Sequence, residues 1–200
     1  MKELGYQPSS IARSLASSTT NSVGILVSEL DGPFFGQMMS AIEEHLRIAG
    51  KHVIITPGHS DEKKEKSGFE FLIGRNCDAI IAHVEAVSND YLIELSKGKT
   101  PIYLMSRYVK EIEENCISLD NVMGGYLATK AMINKGHKNI AYIAGPQFKE
   151  DASNRLKGHK QALAEYNLTF DENLFYIGDF KETGGSDGLR HFIQNKAQIT

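Results

Sequence analysis

Short apolar runs alternate with longer amphipathic stretches from Val23 onward. Val23-Gly24-Ile25-Leu26-Val27 has no polar side chain at any position, the pattern of a strand buried on both faces. Asp31-Gly32-Pro33 then punctuates the chain, and a proline suits the first turn of a helix because its missing N–H would have had no partner there. Phe34, Met38, Ile42 and Leu46 follow at helical spacing, with Glu43, Glu44 and Arg47 on the wet side and Gly50 placed as a C-cap. The cycle repeats. His52-Val53-Ile54-Ile55 reads as a strand, and residues 61–76 as a helix whose charged start, Asp61-Glu62-Lys63-Lys64-Glu65-Lys66, reads as a solvated face. Further strands are expected at Asp78-Ala79-Ile80-Ile81-Ala82, Pro101-Ile102-Tyr103-Leu104-Met105, Cys116-Ile117-Ser118-Leu119, Ile140-Ala141-Tyr142-Ile143-Ala144 and Leu174-Phe175-Tyr176-Ile177. Helices are expected over residues 88–97, 121–135 and 151–166.

This alternation predicts an α/β fold, a parallel sheet with helices on both faces and right-handed crossovers. Residues 110–115 break the rhythm. Glu111, Glu113, Glu114 and Asn115 give them no apolar helix face, so the segment reads as a crossover between two lobes, residues 23–115 and residues 116–200. Nothing before Asn21 has strand character, and Ser17 to Ser22 form a polar linker.

Composition narrows the function. Of 200 residues, 41% are hydrophobic and 24% charged, the balance of a globular chain with a real core. The net charge of -3 excludes the bulk surface as a nucleic-acid surface, which needs a basic stripe. Any DNA contact must therefore come from a small local segment. Cys77 and Cys116 each stand alone in an apolar run and read as buried, reduced thiols. Met1-Lys2-Glu3-Leu4-Gly5 starts no signal peptide and no apolar run is long enough to span a bilayer, so a cytoplasmic protein with no membrane partner is expected.

In open parallel sheets, ligands bind beyond the carboxyl ends of the strands. Asp31, Phe34 and Phe35 follow the first strand, Ser106 and Arg107 follow Leu104-Met105, Asp120 follows Leu119, and Asp151 and Arg155 begin the helix after Ile143. Aromatic faces, guanidinium forks and carboxylates are the chemistry of sugar recognition. Other readings stay open at this point. Phe34 and Phe35 also fit core positions, Arg155 also fits a surface arginine, and Asp120 also fits a carboxylate serving a helix N-terminus. Gly184-Gly185-Ser186-Asp187-Gly188 matches the G-x-S-x-G of a nucleophile elbow, but residues 179–183 separate it from the preceding strand. There is no H-E-x-x-H, C-x-x-C, Walker or G-x-G-x-x-G motif, and the seven histidines are scattered. No catalytic residue, metal site or cofactor is expected, and the chain does not read as an enzyme.

Tyr6-Gln7-Pro8-Ser9-Ser10-Ile11-Ala12-Arg13-Ser14-Leu15 resembles the hinge helix of the LacI/GalR repressors. The resemblance continues through Ser22-Val23-Gly24-Ile25-Leu26-Val27, Asp31-Gly32-Pro33-Phe34-Phe35, Asn76-Cys77-Asp78-Ala79-Ile80-Ile81, Ser118-Leu119-Asp120-Asn121-Val122-Met123-Gly124-Gly125 and Gly136-His137-Lys138-Asn139-Ile140-Ala141-Tyr142-Ile143. Arg155-Leu156-Lys157-Gly158-His159 resembles an Arg-Leu-x-Gly-aromatic helix start, with His159 in the aromatic's place. The order and spacing of these segments are nearest the galactose-repressor branch.

The resemblance implies a periplasmic-binding-protein type I-like fold, two parallel-sheet lobes with a cleft between them. It implies that residues 1–22 are the end of a headpiece, the hinge helix and a linker. The helix-turn-helix itself and the end of the second lobe are expected to be missing. It implies a homodimeric repressor that binds operator DNA and releases it when an effector enters the cleft. Ala12, Arg13 and Leu15 match the hinge positions that meet DNA. Phe34, Phe35, Ser106, Asp151 and Arg155 match effector contacts, with Arg107 and Asp120 beside them. Ser106 departs from the Asp or Asn common there, which leaves galactose, a β-glucoside or another hexose open and a purine as the weaker alternative. A periplasmic-type sugar-binding protein with no DNA role is the other reading of the same fold.

Overall fold

A computed structural model describes residues 19–200. The expected hinge, with Ala12, Arg13 and Leu15, lies outside the described residues. The chain divides after Ser118 into two compact units.

The first unit is a five-stranded sheet, β1 (Ser22–Val27), β2 (His52–Pro57), β3 (Ala79–Ala82), β4 (Ile102–Met105) and β5 (Cys116–Ile117). The strand order is β2-β1-β3-β4-β5 and every pairing is parallel. Five of the six β1 residues are buried, as a run without polar side chains requires. Helices α1 (Pro33–Ile48), α2 (Glu62–Gly74) and α3 (Asn89–Ser96) make the crossovers. Asp61 caps α2 by accepting from the Lys64 N–H, and Ser88 caps α3 by accepting from the Tyr91 N–H. The core joins Leu26, Phe69, Leu72, Ile80, Leu92, Ile102 and Leu104. At Gly24 a Cβ would lie 2.9 Å from Leu72 Cδ1, so the glycine is what lets α2 seat on the sheet.

Five expectations need correction here. Residues 110–115 are not a crossover between lobes. They form a kinked 3-10 segment (Lys110–Asn115) that joins β4 to β5 inside the first unit, with Val109 buried and Ile112 packed on the core. The strand expected over residues 116–119 is two residues long and pairs with β4, and Leu119 already belongs to the second unit. The charged start of α2 is not all solvated, because Glu65 is fully buried. Cys77 is buried as expected, but Cys116 is only half-buried. On α1 the expected apolar stripe is at most half-buried; none of its residues is fully covered.

The second unit carries β6 (Tyr142–Ala144) and β7 (Phe175–Ile177), paired in parallel. Around them lie α4 (Asn121–Asn134), α5 (Glu150–Glu165) and α6 (Glu182–Gln194). α4 and α5 meet backbone to backbone. A Cβ on Gly125 would lie 2.0 Å from the Arg155 carbonyl oxygen, and one on Gly158 would lie 1.9 Å from that of Val122. Among the described residues no helix is long and apolar enough to cross a membrane.

Candidate functional site

In the first unit the chemistry gathers at the carboxyl ends of β1, β3 and β4, which the strand order makes neighbours. Gly32, at φ 88°, turns the chain into α1, and Pro33 at its first turn starts the helix. Phe34 and Phe35 follow, their ring centroids 5.1 Å apart in an edge-to-face pair. Both rings also meet the imidazole of His83, at 6.1 and 5.1 Å. Phe34 is 55% exposed and so is not packed in the core of the first unit. His83 directly follows β3 and continues the ladder by donating its N–H to the Leu26 carbonyl. It is 8% exposed, and its Nδ1 lies 3.0 Å from Oγ of buried Ser28.

Ser106 and Arg107 follow β4. Ser106 is exposed, in a left-handed conformation at φ 59°, and donates its N–H to the Ile117 carbonyl. Arg107 turns back onto the loop after β3. Its Nη2 donates to the Val87 carbonyl (2.7 Å) and to Asn89 Oδ1 (2.8 Å).

In the second unit the polar groups gather where α4 and α5 begin. Asp120 caps α4, accepting from the Met123 N–H at 2.8 Å. Arg155 is held from two sides: Nε donates to Asn121 Oδ1 at 2.8 Å and Nη2 pairs with Asp151 Oδ2 at 3.0 Å. Its guanidinium stands 5.7 Å from the centroid of the Phe180 ring, a cation–π distance. Phe180 follows β7, sits at φ 65° and lays its ring on the backbone of Gly145, where a Cβ would lie 2.0 Å from it. Beside it, the N–H of Lys181 bonds to Asp179 and holds that carboxyl below the usual range.

Asp151 and Arg155 are thus brought into direct contact, as are Phe34 and Phe35. His83, Asn121 and Phe180 were not among the sequence candidates. His83 and Phe180 share a signal with Phe34, namely a ring placed just beyond a strand's carboxyl end. The G-x-S-x-G match lies inside α6, where Ser186 is on an exposed helical turn and no strand leads into it. Among the described residues no group of three or more His, Cys, Asp or Glu is arranged to hold a metal ion.

Residues 20–198 match the family of periplasmic binding proteins and the sugar binding domain of the LacI family. The chain belongs to this family. The HTH-type transcriptional regulator GalR of Escherichia coli is 34% identical over all 200 residues, and the chain spans 58% of that relative's length. A sugar-binding transcriptional regulator of the LacI family from Escherichia coli shares the fold with a TM-score of 0.78 at 22% identity, over 90% of this chain and 66% of that one. The cellobiose complex of the transcriptional regulator CelR aligns at 26% identity and a TM-score of 0.73, over 99% of this chain and 60% of that one. The α/β architecture with its parallel sheet is that of the LacI-family sugar-binding core.

Proposed function

We propose that the chain is the effector-binding core of a cytoplasmic, homodimeric transcription repressor, and that a bound sugar controls release of operator DNA. The observation that carries this reading is Arg155, fixed by Asp151 and Asn121 and stacked by Phe180 at the mouth of a parallel α/β unit. A fixed fork beside an aromatic face suits a hydroxylated ring, whose C–H face stacks while its oxygens accept hydrogen bonds. In the first unit, Phe34, Phe35 and His83 form an aromatic cluster suited to the same chemistry, with Ser106 nearby; in the second unit Asp120 adds a further carboxylate. The likeness to GalR and to a regulator solved with cellobiose supports galactose or a related hexoside.

Ala12, Arg13 and Leu15, which lie outside the described residues, are by the family resemblance the proposed DNA contacts. An apolar side chain such as Leu15 unstacks a base step from the minor groove and kinks the duplex. Sugar and operator then bind with reciprocal negative coupling. By the family resemblance alone, helix α1 and residues 61–81 are the candidates for the dimer face.

A thermal-shift screen against galactose, galactosides, cellobiose and purines tests the reading, since a ligand of the folded state raises the melting temperature by mass action. One saccharide is expected to raise it, and Arg155→Ala to abolish the rise. A shift with purines alone contradicts a sugar effector. Saccharide binding that leaves the DNA affinity of the headpiece-bearing protein unchanged favours a binding protein without a DNA role.

A further inference from the structure

Residues 84–88, the loop between β3 and α3, are gripped by charges of opposite sign. On one side is Glu65 of α2, 0% exposed. Its Oε1 accepts from the Glu85 N–H, and its Oε2 accepts from the N–H groups of Ala86 and Val87, all at 2.9 Å. On the other side is Arg107. It donates to the carbonyls of Val84 (3.4 Å) and Val87 (2.7 Å) and to Asn89 Oδ1 (2.8 Å) at the start of α3. The anion reads three successive donors of the loop, and the cation reads two of its acceptors.

A buried carboxylate is strongly unfavourable unless its lone pairs are filled, and these three charge-assisted bonds fill them only for one path of the loop. Arg107 fixes the same path independently, because a planar fork satisfies three acceptors only when they lie where its N–H groups point. Gly58 keeps the back of Glu65 clear, since a Cβ there would lie 2.7 Å from Glu65 Cγ. The loop begins directly after His83, whose ring completes the cluster with Phe34 and Phe35.

We infer that Glu65 and Arg107 are a pair of positioning residues, which fix loop 84–88 and through it hold His83 against Phe34 and Phe35. Neither touches the ligand. Together they preorganise one stacking wall, so that the ordering of the loop precedes binding. The part concerning ligand affinity rests on the proposed sugar site; the part concerning His83 does not.

The test uses Glu65→Gln, which keeps the shape of the side chain but turns an N–H donor toward part of the loop. Ile102→Val, a truncation in the same core, is the control. In the ligand-free protein, Glu65→Gln is expected to speed amide exchange at Glu85, Ala86 and Val87 by roughly ten- to a hundredfold, the loss of a charged hydrogen bond. It is also expected to shift the His83 ring resonances, which Ile102→Val leaves in place. With D-galactose and cellobiose as probes, the affinity of whichever saccharide the native chain binds falls about tenfold. If Glu65→Gln does not fold, Arg107→Lys reads the same loop, because an ammonium cannot span the three acceptors. Unchanged loop exchange and unchanged His83 resonances overturn the inference. If the native chain binds neither saccharide, the sugar reading fails, while the exchange and ring signals still decide the role of Glu65.

Discussion

Oγ1 of Thr129 on α4 lies 2.8 Å from Nδ1 of His159 on α5, across the closest approach of the two helices. Thr129 donates its single proton to the Gly125 carbonyl at 2.9 Å, so the imidazole donates from Nδ1 to the threonine oxygen. His159 is buried, with its ring 4.6 Å from that of Tyr142. Burial, aided by nearby Lys160, pushes its pKa down to about 4.

That depression makes the stability of the second unit depend on pH. The unfolded histidine titrates near 6.5 and the folded one near 4, so between those values the unfolded state holds the extra proton. The contribution is complete above about pH 6.5 and is lost as the pH falls toward 4, a loss of about 3 kcal/mol. Urea unfolding between pH 7.5 and 4.5 measures it. His159→Phe, which restores an aromatic without a titrating group, is expected to remove that share of the pH dependence.

Neighbouring glycines of α4 should respond with opposite signs. Gly125→Ala drives a Cβ into the Arg155 carbonyl and is expected to destabilise the second unit by about 3 kcal/mol or more. Gly124→Ala meets open space and should stabilise by about 0.5–1 kcal/mol through helix propensity. Chemical denaturation of both variants checks the pair. Equal effects would mean that α4 and α5 are not in backbone contact.

Phe34 and Phe69 divide binding from stability. Phe69 is fully buried in the core of the first unit, and Phe69→Ala is expected to cost about 3–5 kcal/mol. Phe34 is largely exposed, so Phe34→Ala should cost less than about 1 kcal/mol while weakening saccharide binding at least about tenfold. Melting curves and calorimetric titration of the two variants separate the effects.

The proposed hinge residues make a prediction of their own, tested in a protein that carries a DNA-binding headpiece ahead of this chain. Leu15→Ala should weaken operator binding and leave saccharide affinity unchanged, as read by gel shift and calorimetry. A fall in saccharide affinity would place Leu15 in the core rather than on DNA.

Much of this architecture was legible because buried parallel strands write themselves as unbroken apolar runs, as β1 does, and because caps sit just ahead of their helices, as Asp61, Ser88 and Asp120 do. Glu65 escaped because position along a helix fixes its face but not what covers that face. A loop twenty residues on supplies its donors. Residues 110–115 escaped because a kinked 3-10 segment has no 3.6-residue period, and one side chain, Ile112, is enough to seat it. At the site, the residues following each strand were readable one strand at a time. That His83 meets Phe34 and Phe35, and that Asn121 meets Arg155, depends on pairings between distant segments that no local pattern encodes.

The central claim is that Arg155 and its partners hold a saccharide. Calorimetric titration of D-galactose and cellobiose into the native chain and into Arg155→Ala tests it most directly. Saturable binding of one of them to the native chain, weakened about a hundredfold or more in Arg155→Ala while the melting temperature stays near native, is the predicted result. Binding that survives Arg155→Ala unchanged would contradict it.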